Sequence, residues 1–150
     1  MIEVGSPAPE FRLQRSDGKY VSSDEFRGKK NLVVYFYPKD FSRGCTAEAC
    51  GFRDSYEAFK NLGAEVIGIS GDGQQSHDGF AREHKLPFIL LTDTDGAVRK
   101  AYGVKKSLGL IPGRVSFIID KQGIVRHIFS SQARPTAHVD EALAVLKTLG

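Results

Sequence analysis

Cysteine is scarce in this chain, with two in 150 residues, too few to staple a disulfide-rich secreted scaffold. Long apolar runs are missing too. The longest, NLVVYFY at 31–37 and PFILL at 87–91, fall far short of the roughly 20 residues that cross a bilayer, so no membrane span is expected. No excess of one charge is present either: 21 basic residues face 18 acidic ones, interspersed, and a formal net charge of +3 lacks the clustered basic surface of a nucleic-acid binder. The opening MIEVGSPAPEF carries acid and two prolines where a signal peptide shows basic residues and then an apolar core. The expected compartment is therefore the reducing cytoplasm, or an organelle if a transit peptide has been removed. Repeats, low-complexity tracts and linkers are absent, and 41% hydrophobic residues are enough to close a core, so the expectation is one domain over 1–150.

The remaining pattern alternates strands and helices. FRLQRSDGKYVS reads as two extended pieces joined by the Ser16-Asp17-Gly18 turn, and NLVVYFY as a buried central strand ended by Pro38. A helical period then runs from about 42 to 62. It is followed by strand AEVIGIS (64–70), helix SHDGFAREH (76–84), strand FILLT (88–92), a short helix around GAVRKAYG, strands at 114–120 and 124–130, and a final amphipathic helix. This order predicts an α/β fold with a central mixed β-sheet flanked by helices and an N-terminal β-hairpin extension. DTDG at 93–96 and GISGDG at 68–73 fit neither calcium-loop nor phosphate-loop spacing and read as turns. His77, His84, His127 and His138 stand at no ligand spacing from the cysteines and read as surface or strand-face residues. Neither metal nor cofactor is expected.

Both thiols lie on the first of these helices. Cys45, Ala49, Phe52, Tyr56 and Phe59 are spaced four, three, four and three apart, one continuous core-facing stripe. Cys50 points roughly 140° away, among Arg53, Asp54 and Glu57. Cα atoms five apart on a helix are separated by roughly 8.6 Å, beyond the reach of about 7 Å that a disulfide tolerates. The pair cannot bond while the helix is intact. Taken alone, Cys45 reads as a small buried hydrophobe. Its place weighs against that, because Ser42 has N-cap chemistry and puts Cys45 in the first turn, where unpaired N–H groups and the helix dipole favour a thiolate. Such a pair can run a two-thiol cycle: a Cys45 thiolate attacks a peroxide and becomes a sulfenic acid, which Cys50 condenses to a disulfide once the helix start unwinds.

The segment YPKDFSRGCTAEACGFRD resembles the active-site segment of the peroxiredoxins: proline, three residues, threonine or serine, two residues, then cysteine, matched by Pro38, Ser42 and Cys45. The second cysteine five residues on, and the stretch YGVKKSLGLIPGRVSFIIDKQGIVRHIFSSQ, resemble the Q-type or bacterioferritin-comigratory branch, especially its cyanobacterial and chloroplast members. The resemblance covers nearly the whole chain. It implies a thioredoxin-like fold, a peroxidatic Cys45, a resolving Cys50, and Arg114 holding thiolate and peroxide together with Ser42, under the shield of Pro38. It further implies that Glu48 and Arg53 orient this cluster, that thioredoxin or a similar dithiol returns the enzyme to its reduced form, and that the protein is a monomer. Two departures stand out. Phe41 occupies a position often acidic in relatives, adding apolar surface that would favour organic hydroperoxides, and the loop 103–113 is shorter than in enterobacterial relatives and lacks their tryptophan. Two other functions fit the same thiols. A general thiol-disulfide exchanger is disfavoured by the absence of C-x-x-C; a non-enzymatic redox-sensing module would react with peroxide once, without turnover.

Overall fold

An apolar, β-branched strand with no polar alternation has to be covered on both faces, and the strand at 31–36 sits accordingly at the middle of the molecule. In the computed structural model, which describes residues 2–107 and 111–149, the chain begins with β1 (Arg12–Arg15), β2 (Tyr20–Ser22), a 3-10 turn at Ser23–Phe26 and β3 (Asn31–Phe36). It continues through α1 (Arg43–Asp54), α2 (Tyr56–Asn61), β4 (Ala64–Ser70), α3 (Gln74–His84), β5 (Ile89–Thr92) and α4 (Ala97–Ala101). A two-residue pair, β6 (Lys106–Ser107) and β7 (Ile111–Pro112), precedes β8 (Val115–Ile119), β9 (Val125–Ser130) and α5 (Ala137–Leu149). Of the loop 103–113, residues 108–110 lie outside the described residues.

Seven strands form one mixed sheet in the order β2-β1-β5-β4-β3-β8-β9. The neighbours β3, β4 and β5 are parallel, whereas β8 runs antiparallel to β3, pairing Phe36 with Val115 and Leu32 with Ile119. The N-terminal hairpin continues this sheet instead of standing apart from it, because β1 also pairs antiparallel with β5. From β3 the chain crosses to β4 on one side and returns later to β8 on the other. The C-terminal end of β3 is therefore the point where strand order reverses, the usual place for a ligand crevice in an open α/β sheet.

Successive β3 side chains point to opposite faces. Val33, Tyr35 and Tyr37 pack with Cys45, Ala49, Phe52 and Phe59 of the helix layer and with Val139, Ala142 and Leu146 of α5. Val34 and Phe36 pack on the other face with Ile67, Ile69, Tyr102 and Phe117. The Tyr35 ring stacks on Phe52 at 4.6 Å between centroids. Glycine at 68 makes this stack feasible, since a Cβ there would lie 2.8 Å from the Tyr35 ring. The helix expected over 42–62 is two helices: it breaks at Ser55 (φ −104°, ψ 6°), a residue type whose hydroxyl competes with helical backbone bonding. The apolar stripe survives the break, because Phe52 and Phe59 meet at 5.6 Å across it.

Candidate active site

Pro38 ends β3 because it has no N–H to extend the ladder. The chain then turns sharply through Phe41, which holds φ at +66°, a conformation rare for residues with a side chain. The Phe41 ring is half exposed and rests on Phe80 at 5.1 Å. Ser42 occupies the N-cap position with extended backbone, but its side chain makes no capping bond; the hydroxyl donates to the Lys39 carbonyl at 2.9 Å and closes the loop instead. The first helical backbone bond runs from Thr46 N–H to the Ser42 carbonyl at 2.8 Å. The N–H groups of Arg43, Gly44 and Cys45 consequently have no partner within the helix, and their partial positive charge gathers around Cys45. The Cys45 side chain is buried.

Because β8 is antiparallel to β3, its start lies beside the end of β3, and this brings Arg114 against the first turn of α1. Arg114 Nη1 donates to Glu48 Oε1 at 2.6 Å, with the two side chains 5% and 0% exposed. Its Nε donates to the Gln132 carbonyl at 3.4 Å. Burial works against the guanidinium charge, but Glu48 and Cys45 outweigh it and hold Arg114 above the ordinary arginine range. Gly44 makes the approach feasible, since a Cβ there would stand 2.9 Å from Arg114 Nη2. Burial pushes the Glu48 carboxyl up to about 8, against the pull of Arg114. Among the described residues Glu48 Oε2 has no hydrogen-bond partner, lying 3.7 Å from His138 Nδ1, and neither has the buried Tyr35 hydroxyl.

His77 and His138 depart from expectation. Both are fully buried. Each was expected at the surface or on a strand face, and each tolerates burial because both ring nitrogens are bonded. His138 Nε2 donates to the Ser131 carbonyl at 2.9 Å, and Nδ1 lies 2.7 Å from the Ser116 hydroxyl. Burial, reinforced by Arg114, holds His138 below the ordinary histidine range, so it is neutral and accepts from Ser116. His77 Nε2 donates to the Leu91 carbonyl at 3.0 Å, and Nδ1 meets Asp40 Oδ2 at 2.7 Å. Asp40 also accepts from the Tyr37 hydroxyl at 2.6 Å and from Ser76 at 2.9 Å, while its N–H donates to Asp72 at 2.8 Å. This network pins the residue just before Phe41. Asp40, Asp72 and His77 bring metal-ligand atoms within 4.8 Å of one another. Those atoms already bond each other and the loop, which leaves them poorly free for a cation.

Arg53 does not join the Arg114 cluster. Its Nε pairs with Asp54 at 2.9 Å and its Nη1 donates to the His84 carbonyl at 2.8 Å, a last-turn carbonyl of α3 that attracts a cation. Cys50 is half-buried on the same α1 helix, and both thiols are free. Sequence reasoning missed Asp40, Tyr37, His77 and His138. No local signal marked the two histidines, since their partners stand far away along the chain, 37 positions between His77 and Asp40 and 22 between His138 and Ser116.

A buried thiol in a first helical turn whose N–H groups have no partner within the helix, with a guanidinium held by a buried glutamate interacting with it, marks a thiol-dependent oxidoreductase built on a mixed α/β sheet. The AhpC/TSA family model matches residues 4–128, and the chain belongs to that family. It is 50% identical over 149 residues to the chloroplastic peroxiredoxin Q of Sedum lineare, covering 99% of this chain and 80% of the relative. With the chloroplastic peroxiredoxin Q of Arabidopsis thaliana it shares 50% over 147 residues, 97% of this chain and 68% of the relative. Among solved structures, the peroxidoxin BcpB of Mycobacterium tuberculosis superposes with a TM-score of 0.93 at 32% identity, covering 100% of this chain and 99% of that one. The bacterioferritin comigratory protein of Xanthomonas campestris gives 0.87 at 29% identity, with 99% and 98% covered. The fold is thus thioredoxin-like and the enzyme a thiol peroxidase.

Two outcomes follow from this geometry. Alanine is favoured over glycine in a helix by about 1 kcal/mol, less than disturbing the buried Arg114–Glu48 pair costs, so Gly44→Ala should lower the thermal midpoint and, by displacing Arg114, reduce peroxidase turnover by about tenfold or more. Glu48 has its proton affinity raised on folding, from an ordinary 4.5 to about 8, so the native state binds the proton more tightly. The stability this confers is complete below the ordinary value and is lost as pH climbs through the folded one. Denaturant titrations of the wild type and Glu48→Gln should show the wild type losing ground to the variant between about pH 5 and pH 8.

Proposed function

We propose that this enzyme reduces hydrogen peroxide and organic hydroperoxides through Cys45 and is reset through Cys50. The observation that carries the reading is the buried Cys45 in the first turn of α1, beside an arginine held by a buried glutamate. In the first step the Cys45 thiolate attacks the terminal oxygen of the hydroperoxide. The O–O bond breaks, the departing alkoxide or hydroxide takes up a proton to leave as alcohol or water, and the sulfur is oxidised to a sulfenic acid. Arg114 holds the thiolate and the polarised oxygens, the free N–H groups of the first turn face the same place, and Pro38 and the Ser42 hydroxyl border it. Glu48 acts by fixing Arg114. In the second step the Cys50 sulfur attacks the sulfenic sulfur, water leaves and a disulfide forms. A dithiol such as thioredoxin then reduces that disulfide and is itself oxidised.

Organic substrates are supported by the exposed Phe41 ring beside the site and by the Xanthomonas campestris relative, which is described by its alkyl peroxide reduction activity. The reading takes residues 1–150 as one domain working as a monomer, which rests on the branch that the motifs resemble. Chloroplastic relatives at about half identity favour the organellar alternative over the cytoplasm.

Steady consumption of peroxide with thioredoxin, thioredoxin reductase and NADPH separates a peroxidase from a disulfide exchanger and from a one-shot sensor, because only the first sustains cycling. In that assay Cys45→Ser should be inactive. Cys50→Ser should give one rapid turnover and then stop, with a sulfenic acid at position 45 captured by a dimedone reagent. The reverse assignment of the two phenotypes would refute the roles. Closing a disulfide between two thiols of one α1 helix also demands unwinding. Amides 44–52 should therefore exchange with solvent faster in the oxidised protein than in the reduced one, and equal protection would exclude the proposed rearrangement.

A further inference from the structure

Arg99 belongs to α4, on the far side of the sheet from Cys45's helix, yet its side chain reaches the strand ends that frame the site. Its backbone N–H donates to Asp93 Oδ2 at 2.8 Å, which anchors the base of the residue. The guanidinium spreads between two carbonyls: Nη1 donates to Gly113 at 3.0 Å and Nη2 to Tyr37 at 3.0 Å. Tyr37 directly precedes Pro38, and Gly113 directly precedes Arg114. The β3–β8 register ends at Phe36 and Val115, and Pro38 lacks the N–H that could continue it. Arg99 thus stands where the next rung of the ladder would be. Its guanidinium also lies 5.7 Å over the Phe36 ring. Position 113 leaves no room for a side chain, because a Cβ there would run into the Lys105 carbonyl.

A half-buried arginine satisfying two carbonyls is an ordinary structural stitch. This one differs in what it spans, since the residues that follow the two carbonyls are Pro38 and Arg114. Burial lowers the proton affinity of Arg99, while Asp93 and Cys45 both draw it upward, so the field of Cys45 reaches this guanidinium. We propose that Arg99 is a positioning residue of the peroxidase: its two-pronged grip on the Tyr37 and Gly113 carbonyls fixes how far Pro38 stands from Arg114 across Cys45. Arg114 can then present its fork to thiolate and peroxide together. The inference rests on Cys45 being the peroxidatic thiol. Lysine cannot replace the grip, because a single ammonium on a flexible stem lacks the rigid fork that reaches two acceptors at once.

The test uses the full chain in a Cys50→Ser background, where oxidation of Cys45 by hydrogen peroxide is followed by stopped flow and the sulfenic acid is located by mass spectrometry. Arg99→Met and Arg99→Lys should each lower the second-order oxidation rate by about tenfold or more. With Cys50 restored, thioredoxin should reduce their preformed disulfides within about twofold of the wild-type rate. Combining Arg99→Met with Arg114→Lys should cost no more than Arg114→Lys alone, since residues acting through one interaction are not additive. A merely structural stitch would instead give multiplied losses. Wild-type oxidation rates in both Arg99 variants, full rescue by lysine, or multiplied losses would each overturn the proposal. If Arg99→Met fails to fold, Asp93→Asn, which loosens the base of Arg99 and leaves its guanidinium intact, should lower the oxidation rate and spare the reductive step; an unchanged oxidation rate would overturn the inference equally. A parent protein whose Cys45 is not oxidised would overturn the functional reading itself, a result distinct from any difference among the Arg99 variants.

Discussion

The short, buried hydrogen bond from Arg114 to Glu48, made where the sheet meets the reactive helix, is the contact on which the rest of the site depends. Removing one partner of such a pair leaves an uncompensated charge and typically costs about 3–5 kcal/mol. The pair therefore ties the start of β8 to the first two turns of α1. Its geometry dictates much nearby. Position 44 has to be glycine-sized to let Nη2 pass, and position 51 has to be small because α5 comes close, with Val139 3.0 Å from where a Cβ would be. Tyr35 stacks under the same helix and needs the bare backbone of Gly68. Reactive sulfur and cation are thus held by rigid elements, and the loop between β3 and α1 only has to be stopped from moving.

That stopping is uneven along the loop. Asp40 is bound through four hydrogen bonds to Tyr37, Asp72, Ser76 and His77, all within the buried network under α3. One residue later, Phe41 sits in a left-handed conformation that costs of order 1 kcal/mol or more for a residue with a Cβ. Ser42 spends its hydroxyl on the Lys39 carbonyl and leaves the helix uncapped by any side chain. A Ser cap is ordinarily worth about 1 kcal/mol. The start of α1 is accordingly weakened on the side that the proposed disulfide step would open, while the segment before it is anchored. The hydrogen-bonded Asp40 and the strained Phe41 stand side by side at this point of the chain.

What the sequence displays depends on how far apart the interacting residues are. The Cys45–Ala49–Phe52–Phe59 stripe was readable because a helix repeats every few residues, and β3, β4 and β8 were readable as short runs rich in β-branched and aromatic residues. Arg114 was not visible from spacing: it bonds Glu48 from 66 positions away, and only the likeness to a family singled it out. Arg53 looked similar on the helix and turned toward the end of α3, because a helix surface offers a cation several acceptors and the sequence does not rank them. The two buried histidines were invisible for the same reason. Each is tolerated by partners supplied from other elements, and a lone histidine in a sequence carries no mark of them.

The two halves of the chemistry make opposed demands on one helix. In the proposed cycle, oxidation of Cys45 needs the first turn wound, so that its N–H groups, the sulfur and Arg114 face one point, whereas closure of a Cys45–Cys50 disulfide needs that turn gone, because Cys50 lies five residues on and around the helix. A fold that stabilised α1 more would favour the first step and starve the second, and a looser α1 would do the reverse. The buried Arg114–Glu48 pair and the strained, uncapped entry at Phe41 and Ser42 sit on opposite sides of that balance. Glu48 adds a pH dependence to it: with its carboxyl pushed up to about 8, gaining or losing one proton changes how firmly Arg114 holds the wound state. Peroxide reactivity and readiness to unwind are in this way set by the same few side chains, so neither can be altered by substitution at the helix start without moving the other.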